Sequence, residues 1–457
     1  QSDWSSDVCS SDLRYCKEYI ILEGIIMHRD SLDDLRKLFV GLDKKVNVEG
    51  KGRIIPINFD NAATTPPFKR VMKKILETSE YYGSIERGDG QKSLYCSDLY
   101  EESRNYLLKY FNAPEDIYTA IFVANTTDGL NMLSNILINS KDDIVITTRM
   151  EHHSNDLPWR GKCNLKYVEV REDGRININD IEELVDKYRE RIKYITITGA
   201  SNVTGYINDI KRIAKLIHKY GGKIIVDGAQ LVPHKRVSMC QEDSSENIDF
   251  LVFSGHKIYA PFGSGAIIGL KESFNMNPPD SKGGGTVDLV LDDREIWLNT
   301  PEKNEAGTPN LFGAVAIMEA MKEVERIGFD TIEKNEKELL KYIIDGLKDL
   351  SRVRLYADNE NINDRLGILV FTIDGMSYEE VGEKLSEVRG IGVRQGGFCS
   401  HPYTRRVLGI ADNELQNYIS KNGVPGLVRV SLGIYNTKKE ANIFLETIEY
   451  LCRRYAK

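Results

Sequence analysis

Two short apolar runs near the middle of the chain, each followed by polar residues, constrain the fold more than any other feature. Lys223 to Val226 and Phe250 to Phe253 have the length and composition of buried parallel strands. Similar runs alternate with helical patterns from Ile121 to Gly269. This alternation predicts an α/β fold with a mostly parallel, helix-covered sheet, whose ligands bind at the carboxyl ends of the strands.

Two ionisable residues follow those runs at the expected ligand-binding edge. Asp227 follows the first run, and Lys257 follows the second after Ser254 and His256. A partly buried lysine loses its proton easily and can form a Schiff base, and a nearby carboxylate can keep a pyridinium nitrogen protonated. Taken singly, each residue is as consistent with a structural role as with a functional one: Asp227 could be a turn residue, and Lys257 could be a solvated surface lysine. Together they indicate a site for pyridoxal 5'-phosphate.

Length, charge and cysteine usage limit the classes of protein. The 457 residues suit a large domain with a smaller one. A net charge of −8 argues against nucleic acid or an anionic membrane as the main partner, and no apolar run is long enough to span a bilayer. The seven cysteines are scattered without zinc-like spacing, which is typical of reduced thiols in a cytoplasmic enzyme.

Two polar segments extend the predicted site. Thr126 and Thr127 follow a strand where a helix begins, so their backbone N–H groups and hydroxyls predict a site for the cofactor phosphate. The adjacent residues His152 and His153 suggest a metal, but neighbouring loop positions rarely bind one ion and no third ligand has a usable spacing. We therefore expect no metal, and favour stacking of a histidine on an aromatic ring.

The motifs DGAQ, 227–230, and SGHK, 254–257, resemble those of the class V aminotransferase family of fold-type I pyridoxal phosphate enzymes. Within that family they are similar to the cysteine desulfurase and selenocysteine lyase branch. The resemblance extends from about Asn58 to the C-terminus. It implies a homodimer, a large cofactor-binding domain over residues 57–327 and a smaller α+β domain over 328–457.

The N-terminal region is expected to lie outside those two domains. Residues 27–56 are interpreted as a helical segment that packs on the small domain. Residues 1–26 are expected to be a non-native or disordered extension, because Asp3 to Leu13 resembles a translated sequencing adapter. On this interpretation the natural chain starts at Met27.

The resemblance also implies a role for each candidate residue. Lys257 would carry the cofactor and move protons, and His152 would stack on the ring and move protons. The expected cofactor contacts are Thr126, Thr127, Asp227, Gln230, Ser254, His256 and, from the other subunit, Thr308 of the EAGTPN motif. The expected substrate contacts are Asn202, Arg394, Arg429 and, near the opening of the site, Arg87.

Cys399 is set in the loop GGFCSHP, five residues after Arg394. This spacing is similar to that of the family's catalytic cysteine, which implies conversion of L-cysteine to L-alanine with a persulfide on Cys399 and a possible sulfur-acceptor protein. Phe398 and Ser400 depart from the family's histidine and alanine. Two alternatives therefore stay open: an aminotransferase, epimerase or β-lyase acting on a small amino acid without Cys399, and an inactive scaffold that retains the fold.

Overall fold

The computed structural model describes residues 35–85 and 88–455 of the chain. The extension predicted over residues 1–26 and the candidate residue Arg87 lie outside the described residues. Among the helices of the described part, none combines the length and the apolar character needed to cross a membrane.

The segment predicted to be helical over residues 27–56 contains a hairpin in its described part. The strands β1 (Val46–Val48) and β2 (Gly52–Ile54) pair antiparallel. Gly50, in the turn between them, has a φ of 71°, a left-handed conformation that glycine adopts without strain. The helical prediction is wrong for this stretch because β-branched residues, Val46 and Val48 before the glycine turn and Ile54 after it, favour paired strands.

A seven-stranded sheet forms the centre of the larger part of the fold. The short strand β3 (Ile57–Asn58) precedes this sheet in the chain and is not part of it. The strands of the sheet are β4 (Tyr118–Val123), β5 (Ile144–Thr148), β6 (Asn164–Val168), β7 (Ile192–Thr198), β8 (Lys223–Asp227), β9 (Phe250–Ser254) and β10 (Gly265–Leu270). Their order is β4-β10-β9-β8-β7-β5-β6, and all pairs are parallel except the two made by β10. Residues 255–264 are too few for the helical crossover that a parallel β10 would need. The predicted mostly parallel sheet is confirmed.

A smaller antiparallel sheet follows a hairpin formed by β11 (Val287–Val290) and β12 (Glu295–Trp297). The remaining strands are β13 (Val353–Tyr356), β14 (Ile368–Ile373), β15 (Ile391–Gly392), β16 (Arg394–Gly396) and β17 (Leu427–Ser431). The sheet has the order β13-β14-β17-β16, while β15 pairs with β3. Arg394 lies directly opposite Arg429 in the register of β16 and β17, which brings these two cations together.

Helices cover both sheets. Those of the described residues are α1 (Lys69–Glu80), α2 (Gln91–Tyr110), α3 (Thr126–Leu137), α4 (His153–Asp156), α5 (Ile178–Tyr188), α6 (Ile210–His218), α7 (Lys271–Asn275), α8 (Leu311–Ile327), α9 (Phe329–Lys348), α10 (Tyr378–Arg389), α11 (His401–Val407), α12 (Leu415–Asn422) and α13 (Lys438–Arg454). A short 3₁₀ turn, Gly255–Lys257, follows β9.

The large sheet is buried on both faces, as its continuous apolar strands predict. Ile224 and Val226 of β8 pack into one hydrophobic cluster, and Ile225 packs into another on the opposite face. Helix α3 approaches this second face so closely that a Cβ on Gly129 would lie 2.6 Å from Val252 Cγ1. The glycine therefore lets the start of α3 lie beside the carboxyl ends of the central strands.

A buried ion pair anchors the EAGTPN segment. Arg104 of α2 and Glu305 are joined by two parallel hydrogen bonds of 2.9 Å, and their side chains are 5% and 4% exposed. The Tyr100 hydroxyl and the Phe122 backbone N–H also donate to the Glu305 carboxylate, over 2.7 and 2.6 Å. Glu305 thus fixes the start of the motif to the main body of the fold.

We predict that Glu305→Gln lowers the free energy of unfolding by about 3 kcal/mol, because the buried Arg104 charge loses its buried partner and keeps only the half-exposed Glu101. The measurement is denaturant unfolding of the variant and the wild type. Glu449→Gln is the matched control, since Glu449 pairs with Arg453 at the surface and its loss should cost less than about 1 kcal/mol. Equal effects of the two substitutions would contradict the structural role of Glu305.

Candidate active site

A cavity of about 390 Å³ lies where the carboxyl ends of the central strands meet the small sheet. This volume is within the usual range for small-molecule sites. The cavity brings together residues that are far apart in the sequence. The predicted site residues that line it are Thr126, Thr127, His152, Asn202, Asp227, Gln230, Ser254, His256, Lys257, Arg394, Cys399 and Arg429.

Lys257 and Asp227 lie at the ends of neighbouring parallel strands. Asp227 is the last residue of β8 and pairs in register with Val252 of β9, and Lys257 ends the 3₁₀ turn after β9. Burial lowers the pKa of Lys257 to about 8, and the charge of Asp227 partly opposes that shift. Burial also raises the pKa of Asp227, although the Ala229 N–H donates to its Oδ1 over 3.0 Å.

One end of the cavity has hydrogen-bond donors suited to an anion. Helix α3 begins at Thr126, whose N–H donates to Ser254 Oγ over 2.8 Å, and the two hydroxyls lie 2.7 Å apart. Thr127 Oγ1 lies 2.6 Å from Ser154 Oγ. Burial, followed by the charge of Lys257, lowers the pKa of His256 to about 4. Neutral hydroxyls thus lie at the positive end of the α3 dipole, and a neutral imidazole lines the same cavity.

His152 is held as a neutral ring beside Lys257. Its Nδ1 accepts a hydrogen bond from the Ser154 N–H over 3.1 Å, which assigns the proton of the neutral ring to Nε2. Burial is the main reason that the pKa of His152 falls to about 3, and the cations Lys257 and Arg429 contribute. A neutral, fixed imidazole can stack on an aromatic ligand, as expected from the sequence.

The opposite end of the cavity is cationic. Arg429 is 3% exposed, and its two terminal nitrogens donate to the Asn202 carbonyl over 2.9 Å and to Asp60 Oδ1 over 2.8 Å. Its Nε has no hydrogen-bond partner in the described structure. Arg394 is half-exposed, with Nη1 3.8 Å from Asp60 Oδ2. An unpaired buried donor beside a second arginine suits a ligand carboxylate.

Several side chains make contacts that the sequence did not predict. The Asn202 amide donates from Nδ2 to the Phe398 carbonyl over 2.8 Å, and its Oδ1 accepts from Ser400 Oγ over 3.0 Å. Gln230 Nε2 donates to the Ala62 carbonyl over 2.8 Å. Sequence reasoning also missed Asp60, although it follows the strand β3 in a polar turn, the same signal that identified Asp227.

Cys399 combines exposure with a position at the cavity. It is the exposed cysteine among the five free cysteines of the described residues. Its carbonyl accepts from the His153 N–H over 2.7 Å, which ties the loop to the segment after β5. Thr308, by contrast, is exposed and does not line this cavity. Within residues 35–85 and 88–455, no three His, Cys, Asp or Glu side chains form a metal-binding group.

The lysine chemistry of the site can be measured directly. We predict that Lys257 in cofactor-free protein is half-deprotonated near pH 8, so its acetylation by trace acetic anhydride rises with pH to a plateau above that value. Asp227→Asn should move this midpoint to lower pH, because it removes the negative charge that favours the ammonium form. Lys215, whose pKa Asp243 raises, serves as the internal control in the peptide mass spectra. A Lys257 midpoint matching that of Lys215 would contradict the site electrostatics.

Comparison with known proteins shows which family this chain resembles. The aminotransferase class-V family model matches residues 57–444. A probable cysteine desulfurase of Mycolicibacterium paratuberculosis is 32% identical over 414 residues, 88% of this chain, although the chain spans only 56% of that relative's length. A probable cysteine desulfurase of Halalkalibacterium halodurans is 32% identical over 428 residues, 91% of this chain and 97% of the relative.

A solved structure agrees with these relatives. The apo cysteine desulfurase from Thermococcus onnurineus NA1 superimposes with a TM-score of 0.77 at 30% identity, covering 87% of this chain and 95% of that one. The resemblance inferred from DGAQ and SGHK is therefore confirmed. The chain belongs to the class V aminotransferase family, whose members are pyridoxal phosphate-dependent enzymes.

Proposed function

We propose that this protein is a pyridoxal phosphate-dependent cysteine desulfurase, which converts L-cysteine to L-alanine and carries the removed sulfur as a persulfide on Cys399. The observation that carries the proposal is that an exposed thiol lines the same cavity as the lowered-pKa amine of Lys257. The curated relatives named above have the same activity in their names.

The residues of the cavity fit the cofactor from end to end. Thr126, Thr127, Ser254 and His256 would hold its phosphate, while Asp227 would face the ring nitrogen and His152 would lie on the ring. When bound, pyridoxal phosphate supplies an aldehyde that joins amines and a ring that withdraws electrons from the substrate's Cα. Among the described residues, the Ala229 N–H is the one donor to the buried Asp227 carboxylate, which leaves the second oxygen for a ligand.

The remaining residues orient the substrate and move its proton. Arg429, with its unpartnered Nε, and the nearby Arg394 would bind the α-carboxylate. The released Lys257 amine, neutral above about pH 8, would accept the Cα proton and return it to the product. The burial that lowers the pKa of Lys257 therefore supplies a base near neutral pH.

Cys399 would perform the sulfur transfer. Its thiolate attacks the sulfur of the substrate and forms a new S–S bond. The carbon–sulfur bond breaks with its electron pair left on the substrate, and a proton delivered to that carbon completes alanine. The enzyme thiol and L-cysteine thus become an enzyme persulfide and L-alanine without an external oxidant. An acceptor protein that reaches the exposed Cys399 would then remove the sulfur.

The desulfurase proposal depends on Cys399 and is tested there. We predict that Cys399→Ser retains the cofactor spectrum and still binds L-cysteine, but loses alanine formation almost completely, because a hydroxyl is a far weaker nucleophile than a thiolate. Alanine release and the added sulfur atom on the Cys399 peptide are measured together. Cys163→Ser is the control, since burial raises the pKa of that thiol to about 11.

The contrary result would identify the other reaction class. If Cys399→Ser forms alanine as fast as the wild type, or the wild type transaminates or racemises amino acids without releasing sulfur, Cys399 is not catalytic. The protein would then be another class V enzyme acting on a small amino acid. The replacement of the family's histidine by Phe398 makes this comparison informative.

We propose that the active form is a homodimer in which Thr308 binds the cofactor phosphate of the partner subunit. Thr308 is exposed, lies outside the cavity of its own subunit and follows the rigidly anchored Glu305. Such an arrangement would place a hydroxyl on a fixed segment at the subunit surface. Residues 57–327 and 328–457 would form the two domains of each subunit.

Mixed dimers test the shared site. We predict that Thr308→Ala weakens cofactor retention by about 1 kcal/mol or somewhat more, because one hydrogen bond to a charged group is lost. Thr308→Ala and Lys257→Ala subunits, combined after proven exchange, should form hybrids with one doubly defective site and one intact site. Cofactor retention of wild-type strength at the intact site is the expected result; retention as weak as in the Thr308→Ala homodimer, despite exchange, would contradict a contact across the interface.

A further inference from the structure

The turn that carries Cys399 has an unfavourable backbone conformation. The Ser400 N–H donates to the Gly397 carbonyl over 2.8 Å and closes a four-residue turn, in which Phe398 and Cys399 both have a φ of 53°. Positive φ at both central positions is the type I′ pattern, which glycine, asparagine and aspartate favour. Because phenylalanine and cysteine carry a Cβ, the surrounding contacts must hold this turn in place.

Two of those contacts come from the cationic end of the cavity. Asn202 Nδ2 donates to the Phe398 carbonyl over 2.8 Å, and the guanidinium carbon of Arg429 lies 5.0 Å from the centre of the Phe398 ring. Arg429 also donates to the Asn202 carbonyl over 2.9 Å. The group proposed to bind the substrate carboxylate and its bonded neighbour therefore also hold Phe398.

Ser400 Oγ also donates to Asn202 Oδ1 over 3.0 Å, whereas two other contacts of the turn lie away from Asn202 and Arg429. The His153 N–H donates to the Cys399 carbonyl over 2.7 Å, and Thr404 Oγ1 donates to the Gly397 carbonyl over 3.1 Å. A carboxylate at Arg429 competes with neither bond. The Phe398 half of the turn is therefore sensitive to a bound anion, while its outer attachments remain.

We propose that Phe398 is a positioning residue that couples occupation of the carboxylate site to the conformation of Cys399. This inference rests on the proposed function and adds a trigger to it. In the free protein, Asn202 and Arg429 hold Phe398, and Phe398 keeps the adjacent Cys399 left-handed. A carboxylate draws Arg429 and Asn202 away from Phe398, and the strained turn opens and frees the thiol to move.

Hydrogen exchange measured by mass spectrometry on the holoenzyme tests this coupling. L-alanine provides the amine and the carboxylate, and ethylamine provides the same amine without the carboxylate. We expect L-alanine to speed exchange of the peptide containing the Ser400 amide about fivefold, the effect of losing one ordinary hydrogen bond, and ethylamine to leave it unchanged. No change with L-alanine, or an equal change with ethylamine, would overturn the proposal.

A variant pair tests Phe398 itself. Phe398→Leu keeps an apolar side chain but removes the ring face, so the free protein should exchange fast at Ser400 and L-alanine should add nothing. Phe262→Leu is the matched control, because Phe262 also has a positive φ, 83°, but is 40% exposed on another loop. It should respond to L-alanine like the wild type, and a wild-type response in Phe398→Leu would refute the coupling.

The hydrogen-exchange test of Phe398 can fail or succeed independently of the test of the desulfurase reaction. The exchange measurement requires no sulfur release, so a wild type that makes no alanine from cysteine would refute the desulfurase reaction without affecting this test. The comparison of L-alanine with ethylamine on the wild type also decides the proposal if Phe398→Leu fails to fold.

Discussion

The buried guanidinium of Arg429 is the group on which the geometry of the site depends. It extends from β17 of the small sheet and bonds Asp60, which follows β3, and the carbonyl of Asn202, which follows β7 of the large sheet. A buried charge that loses its partners costs several kcal/mol, so these three elements cannot separate cheaply. The position of the small sheet relative to the cavity is thereby determined by a charge as well as by apolar packing.

Burial shifts the pKa values of three cavity residues, Lys257, His152 and Asp227, in the direction of the neutral form. It lowers the pKa of Lys257 to about 8 and of His152 to about 3, and it raises the pKa of Asp227. The same exclusion of water raises the pKa of the neighbouring Glu151 to about 8. One low-dielectric environment thus makes an amine available as a nucleophile and keeps an imidazole uncharged.

The two candidate nucleophiles have different structural support. Lys257 ends a 3₁₀ turn that directly follows the fully buried strand β9. Cys399 is exposed and belongs to a turn with two left-handed residues, which is held by hydrogen bonds with Asn202, His153 and Thr404. The amine at the end of a sheet strand and the thiol on an exposed loop therefore differ in how firmly the fold holds them.

Much of the fold and part of the site could be predicted from the sequence, because both depend on local patterns. The apolar runs that end at Asp227 and before Lys257 predict neighbouring strands, and parallel strands necessarily bring their carboxyl ends together. The start of a helix at Thr126 is equally local. These patterns, with DGAQ and SGHK, are sufficient to identify the α/β fold and the family.

Other features were decided only by tertiary structure, because they join residues that are distant in sequence. The pairing of Asp60 with Arg429 requires β3 to lie beside the small sheet, which no local periodicity encodes. The left-handed conformation of Phe398 depends on Asn202 and Arg429, contacts that outweigh the intrinsic preference of phenylalanine. The sequence alone therefore indicated most of the residues that meet in the cavity, and the long-range contacts decided how those residues are held.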